Sequence, residues 1–136
     1  MNRRSWLKSL TWLGLGSIAG SVPARAAEPG KGIVLYCDLQ IDPAREKEML
    51  TVFHSQFKPV AQKHKGYVDL KMLKLNRVIQ GGPAPARGVN YRFQLTYESE
   101  ALRQAWVRSE DHEKFWPMVE AFVVDKGYLV LLTDVT

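Results

Sequence analysis

The amino-acid sequence predicts an α+β fold in which two helices cover one face of a four-stranded antiparallel sheet. Segments with period-two alternation, typical of half-buried strands, are interspersed with segments of helical spacing. Their order after residue 26 is strand, helix, strand, strand, helix, strand. Residues 27–136 are numerous enough for one modest hydrophobic core. We therefore expect a single small domain over residues 27–136.

The first predicted strand is followed directly by the first predicted helix. Residues 33–41 alternate between apolar and polar side chains. Asp42 and Pro43 then provide a helix N-cap and a first helical residue. The helix is predicted to end at Lys65–Gly66, with a kink or a new turn at Pro59, because proline lacks an amide hydrogen. The residues at helical spacing are Met49, Leu50, Phe53, Phe57, Val60, Ala61 and His64.

Two further strands and a loop are predicted in the middle of the chain. Residues 67–80 resemble a long strand whose apolar phase slips near Met72–Leu73, which indicates a bulge there. Residues 81–88 are rich in glycine and proline and are predicted to form a loop. Residues 91–97 alternate again and form the third predicted strand.

The second helix and the last strand complete the pattern. Ser99 is the predicted N-cap of the helix, and Trp116–Pro117 is expected to break its later part. Gly127 precedes the last strand, residues 128–135. This order is that of the ferredoxin-like fold, βαββαβ. Bulky groups on the open sheet face, such as Tyr36, predict a homodimer.

The N-terminal segment, residues 1–26, is predicted to be a signal peptide. A basic start with Arg3 and Arg4 precedes an uncharged run that is too short to span a bilayer comfortably. Ala24-Arg25-Ala26 is typical of a signal-peptidase site, although an uncleaved membrane anchor is an alternative. The sequence around Arg3 and Arg4 resembles the twin-arginine export signal. The resemblance implies a bacterial, periplasmic or secreted protein whose contact with the membrane is limited to the signal.

Charge and residue counts exclude several classes of function. Residues 1–26 hold four basic residues and no acidic one, which leaves 15 Lys and Arg against 14 Asp and Glu afterwards. That near-neutral balance gives no basis for nucleic-acid binding. Cys37 is the single cysteine, so no intramolecular disulfide is possible, and we expect it in the core. The three histidines lack a metal-ligand spacing, so no metal is expected.

The segment from Trp106 to Trp116 contains the candidate functional residues. Both tryptophans suit the wall of a pocket for a flat aromatic ligand. Ser109 resembles the N-cap of a new helix, which places His112 at its third position. A histidine there can transfer a proton near neutral pH. The alternative is that both tryptophans pack in the core and His112 is a surface residue.

These residues resemble the dimeric α/β-barrel superfamily, and in particular its antibiotic biosynthesis monooxygenase-like domains. The resemblance extends over residues 32–135 and includes the stress-responsive α/β-barrel branch. It rests on the strand 93–97, the helix start 99–102, and the spacing of Trp106, Ser109 and His112. Leu102 stands where some members carry asparagine. Trp116 stands where haem-degrading relatives need histidine, so haem degradation is excluded.

The resemblance implies a cofactor-independent monooxygenase that acts on a quinol or another small aromatic compound. Such an enzyme needs a base, an apolar enclosure that excludes water, and a donor for the developing oxyanion. His112 is the available base, and either Tyr91 or His54 is the candidate donor. The candidate enclosure is formed by Trp106, Trp116, Phe57 and Phe93. The alternative function is a non-catalytic, stress-responsive ligand-binding barrel.

Overall fold

Four antiparallel strands form one sheet in the computed structural model, which describes residues 31–83 and 85–136. In chain order these are β1 (Ile33–Leu39), β2 (Tyr67–Lys74), β3 (Tyr91–Tyr97) and β4 (Leu129–Asp134). Their spatial order is β2-β3-β1-β4, and all neighbouring pairs are antiparallel. This is the predicted ferredoxin-like α+β topology. The signal peptide predicted at residues 1–26 lies outside the described residues.

The first helical layer is continuous but changes its winding. Asp42 caps a 3₁₀ turn, Pro43–Arg45, by accepting a hydrogen bond from the Ala44 amide at 3.0 Å. The layer then continues as α1 (Glu46–Val52), a π-helical turn over Phe53–Phe57 and α2 (Lys58–Ala61). Pro59 lies in the first turn of α2, where its missing amide hydrogen costs little. The new turn predicted at Pro59 is thus the start of α2, and the π turn before it was not predicted.

The second helical segment divides into α3 (Glu100–Val107) and α4 (Glu110–Glu120). Ser99 and Ser109 are the two N-caps, as predicted. The break predicted at Trp116–Pro117 is wrong, because α4 continues through Pro117. Residues on both sides of Pro117 pack on the core, which offsets the missing backbone hydrogen bond. None of the described helices is long and apolar enough to cross a membrane.

The core lies between the helices and one face of the sheet. Alternate residues of β1 and β3 point into it, since successive strand residues face opposite sides of a sheet. Cys37 is among them and is 5% exposed, which agrees with its predicted core position. The core residues on these two strands are Ile33, Leu35, Cys37, Leu39, Tyr91, Phe93, Leu95 and Tyr97.

The second strand differs from its prediction in length and in the position of its irregularity. It ends at Lys74 rather than residue 80, and its register shift lies between Tyr67 and Asp69 rather than at Met72–Leu73. After Lys74, the Leu75 amide bonds to the Asn90 carbonyl at 2.8 Å. The hairpin loop begins there, so residues 76–80 have no strand to pair with and are exposed.

The sheet face opposite the helices is uncovered in the described part of the chain. Asp38 on β1 pairs with Arg92 on β3, whose guanidinium donates two hydrogen bonds to the carboxylate at 2.7 and 3.0 Å. Leu129 and Leu131 on β4 lie on the same face and are 56% and 40% exposed. The face thus combines exposed apolar side chains with a solvent-exposed ion pair.

Candidate functional site

A cavity lies between the sheet and helices α3 and α4. Its volume is about 140 Å³. Apolar protein cavities of roughly 150 Å³ accept one benzene ring, so this space suits a single aromatic ring. It is lined by Leu35, Cys37, Phe93, Leu95, Arg103, Trp106, Val107, His112, Trp116, Tyr128 and Val130.

Helix α3 contributes one face to this cavity. Arg103, Trp106 and Val107 are spaced i, i+3 and i+4, so they share a side of the helix. Trp106 is 2% exposed, and its ring centroid lies 5.8 Å from that of Phe57 and 5.2 Å from that of His112. The tryptophan is therefore both a core residue and part of the cavity wall, and the two alternatives of the sequence analysis are not exclusive.

Helix α4 contributes His112 and Trp116, one turn apart. Their rings stack at an interplanar angle of 19° with centroids 6.2 Å apart. Trp116 also meets the Phe93 ring edge-on at 5.2 Å. Three of the residues predicted to enclose a ligand, Trp106, Trp116 and Phe93, therefore line one cavity together with His112.

The half-buried His112 is a neutral imidazole around neutral pH. Burial is the main cause that lowers the pKa of His112, and the positive charge of Arg103 lowers it further. The Ser109 hydroxyl accepts a hydrogen bond from the His112 backbone amide at 3.2 Å and so fixes the helix start that carries this side chain. A neutral imidazole facing a cavity is able to accept a proton from a ligand.

Arg103, which the sequence pattern did not single out, is the lining residue with a permanent charge. Its Nε and Nη2 donate to the two carboxylate oxygens of Glu100 at 2.6 and 2.7 Å. Its side chain is 17% exposed. The sequence signal was the spacing from Arg103 to Trp106, since residues three apart on a helix share a face.

Two further lining residues keep their protons. Burial raises the pKa of the Cys37 thiol to about 12. Burial also raises the pKa of Tyr128, whose hydroxyl donates to the Glu120 carboxylate at 2.8 Å. Neither group therefore supplies a base or a thiolate nucleophile at neutral pH.

The structure does not bring the two predicted oxyanion donors to this cavity. Tyr91 donates its hydroxyl hydrogen to Glu46 and lines a different cavity of about 340 Å³ at the end of β2. His54 is exposed on the first helical layer, against the ring of Phe53. Phe57 is 1% exposed and lies behind Trp106 rather than in the lining.

Leu102 also lies outside the cavity lining. Its side chain packs closely against the backbone of Gly66, where a Cβ atom would lie 2.7 Å from the Leu102 Cβ. Gly66 has a φ of 93°, a conformation that favours glycine. Leu102 therefore fills a packing contact. The described residues contain no group of three or more His, Cys, Asp or Glu able to hold a metal ion.

Comparison with known proteins gives a fold and no family. No family model and no curated protein sequence matches the chain. Solved structures do match, including a dimeric ferredoxin-like protein of unknown function from Jannaschia sp. CCS1. That protein is 15% identical with a TM-score of 0.58, and the match covers 79% of this chain and 99% of the other.

Two other solved structures are similar to this chain. A candidate antibiotic biosynthesis monooxygenase from Bordetella bronchiseptica is 13% identical with a TM-score of 0.57, over 74% of this chain and 93% of that protein. The hydroxynitrile lyase of Passiflora edulis is 13% identical with a TM-score of 0.54, over 80% and 96% of the two chains. At these identities the likeness establishes the ferredoxin-like fold.

Proposed function

We propose that this protein binds a small aromatic compound in the cavity between the sheet and helices α3 and α4, and that it acts there as a cofactor-independent monooxygenase of a quinol. One observation carries the proposal. A neutral His112 imidazole and the rings of Trp106 and Trp116 line a cavity of the size of one aromatic ring.

The chemistry assigns a separate task to each side chain. His112 takes a phenolic proton from the quinol, which makes the ring electron-rich enough to reduce molecular oxygen. One oxygen atom enters the ring and the other leaves as water, and the quinol itself supplies the electrons as it becomes a hydroxyquinone. Trp106 and Trp116 contact the ring, fix its orientation in the cavity and limit the access of water.

A second candidate function is a non-catalytic, stress-responsive ligand-binding barrel. The observation that favours it is that the apolar Leu102 packs against Gly66, at a position where the resemblance to monooxygenase-like domains implies asparagine in some members. The similar structures include both a candidate monooxygenase and a hydroxynitrile lyase. The fold therefore accommodates different reactions, and the choice between the two functions depends on turnover.

Oxygen uptake across a panel of quinols and polyphenols, in the presence of a chelator, tests the proposal. We expect His112→Ala to lower uptake about 10²- to 10⁴-fold, the usual scale for a lost general base, with little change in ligand affinity. His54→Ala is the matched control because His54 is exposed and outside the cavity. Binding without any turnover by the wild type would favour the non-catalytic barrel.

The homodimer and the export route are further parts of the proposal. The uncovered sheet face carries Leu129 and Leu131, and burial of such apolar surface against a second copy is the usual solution for an open sheet. The twin-arginine pattern at Arg3 and Arg4 supports a periplasmic or secreted location.

A further inference from the structure

We propose that the cavity binds its aromatic ligand as an aryl oxyanion, and that Arg103 is the counter-ion that selects it. This inference rests on the proposed function, because it assumes that the cavity holds an aromatic ring. It adds the charge of the ligand and a binding residue on α3.

The charge in the lining of the cavity is concentrated on one residue. Arg103 is the lining residue that is charged at every physiological pH. His112 is neutral, and burial keeps the protons on the Cys37 thiol and the Tyr128 hydroxyl. A single guanidinium among uncharged side chains attracts an anion more strongly than it would in water, because the effective dielectric constant is lower there.

The hydrogen bonds of Arg103 engage only part of its guanidinium. Glu100 accepts one bond from Nε and one from Nη2. A guanidinium has five N–H donors, so three of them have no acceptor among residues 31–83 and 85–136. Gln104 also donates to Glu100, at 2.9 Å, and so occupies part of that carboxylate. The guanidinium is anchored on one side and retains donors for a ligand.

Glu100 offsets part of the Arg103 charge. Glu113 and Glu120 are the other carboxylates that influence the site. Glu120 accepts the Tyr128 hydroxyl at 2.8 Å and is not part of the lining. Glu113 and Glu120 raise the pKa of His112 less than burial and Arg103 lower it. Arg103 is the largest single charge influence on the imidazole, and the same charge would act on an anion bound beside it.

The size of the cavity restricts the anion. About 140 Å³ accommodates one ring, and the cavity is open to solvent, so that the substituents of the ring can extend out of it. A phenolate fits this description and forms when His112 removes the phenolic proton. An aryl carboxylate offers the same charge and the same acceptor oxygens, so the shared chemistry is an oxyanion attached to an aromatic ring.

Titration calorimetry on the full-length chain with three nitrophenyl compounds tests this inference. 4-Nitrophenol above its pKa and 4-nitrobenzoate are anions, whereas nitrobenzene is a neutral ring of similar size. We expect both anions to bind about tenfold to a hundredfold more tightly than nitrobenzene, the scale of a charge-assisted hydrogen bond. The tighter of the two anions identifies the source of the oxyanion as a phenol or a carboxylic acid.

Substitutions of Arg103 and Glu100 are expected to change the preference for anions in opposite directions. Arg103→Met should remove the preference for anions and leave the affinity for nitrobenzene unchanged, whereas Arg103→Lys should keep part of the preference. Glu100→Gln should increase the preference, because it releases the guanidinium without removing its charge. A general loss of folding would not produce that gain. Arg108→Met is the matched control, since Arg108 is exposed on the same helical segment and outside the lining.

Equal binding of all three compounds by the wild type, or an anion preference that survives Arg103→Met, would overturn the inference. Either result would still leave the cavity as a binding site for an aromatic ring. The proposed monooxygenase fails separately, if no quinol supports oxygen uptake while the anion preference and its dependence on Arg103 are intact. If none of the compounds binds, both the inference and the aromatic site are wrong.

Discussion

Replacing Trp106 by phenylalanine tests whether one side chain serves both the core and the cavity. Trp106 is 2% exposed and packs edge-on against Phe57, His64 and His112, with centroid distances of 5.8, 4.7 and 5.2 Å. A smaller ring leaves a partly unfilled space at this contact. We expect the free energy of unfolding to fall by about 1–3 kcal/mol, by analogy with cavity-forming substitutions.

The same substitution also removes part of the cavity wall. Aromatic pairs contribute about 0.5–1.5 kcal/mol beyond their buried area, so hydroquinone should bind about two- to tenfold more weakly to Trp106→Phe. Thermal unfolding followed by circular dichroism measures the stability. A fall of about 4 °C per kcal/mol is expected for a domain of about 110 residues. Calorimetric titration with hydroquinone measures the affinity.

Trp116→Phe is the matched control for Trp106→Phe. Trp116 lines the same cavity but is only half-buried, so its replacement should weaken binding with a smaller loss of stability. If Trp106→Phe lowers the melting temperature and leaves hydroquinone affinity unchanged, the cavity assignment is refuted at this residue. If the affinity falls and the melting temperature does not, the packing argument is refuted.

Three further predictions concern pH, assembly and export. Because burial lowers the pKa of His112, the unfolded chain binds more protons than the folded chain at mildly acidic pH. The free energy of unfolding should therefore be highest above about pH 6.5, the usual pKa of histidine, and should decrease as the pH falls toward the lower pKa of His112 in the folded protein. Denaturant titrations of wild type and His112→Gln would show this, and an equal pH slope in both would contradict it. Leu131→Arg, on the uncovered sheet face, should convert the proposed dimer to a monomer in sedimentation velocity, whereas Val124→Arg, outside the sheet, should not. N-terminal sequencing of exported protein should give a start near Ala27, and retention of export after Arg3→Lys with Arg4→Lys would argue against the twin-arginine route.

The sequence was sufficient for the topology because the strands on which the topology depends have local signals. Alternation in β1 and β3 identified both central strands, and the caps at Asp42, Ser99 and Ser109 identified three helix starts. The length of β2 was not predictable in this way. Val78 and Ile79 are β-branched residues typical of strands, but a strand also needs a partner, which is a non-local property.

The candidate site was predictable in its aromatic residues and not in its charges. Trp106, His112 and Trp116 lie close together in the chain, so their spacing was visible. Arg103 lies on the same helix as Trp106, but its role depends on β1 and β3, which close the cavity opposite it. Tyr91 was a plausible donor by residue type, yet its strand position places it beside Glu46, at the other cavity. Contacts between distant elements decide such assignments.

The break between α3 and α4 is what brings Trp106 and His112 together. In one continuous helix these residues would be six positions apart, about 240° around the axis at 3.6 residues per turn, and would face different sides. Here their ring centroids lie 5.2 Å apart, because the chain restarts a helix after Ser109. The Ser109 hydroxyl donates to the Trp106 carbonyl at 2.6 Å and accepts from the His112 amide at 3.2 Å. One hydroxyl therefore ties the end of α3 to the start of α4.

Ser109→Ala should consequently lower oxygen uptake by more than its loss of unfolding free energy explains. Loss of an N-cap costs about 1 kcal/mol, and Ser99→Ala should cost a similar amount because Ser99 caps α3 at the same 3.2 Å distance. Only Ser109 holds His112 against Trp106, so only Ser109→Ala should also lower quinol-dependent oxygen uptake. Paired measurements of unfolding free energy and oxygen uptake on both variants test this. Equal losses of oxygen uptake in the two would mean that the helix break does not position the imidazole.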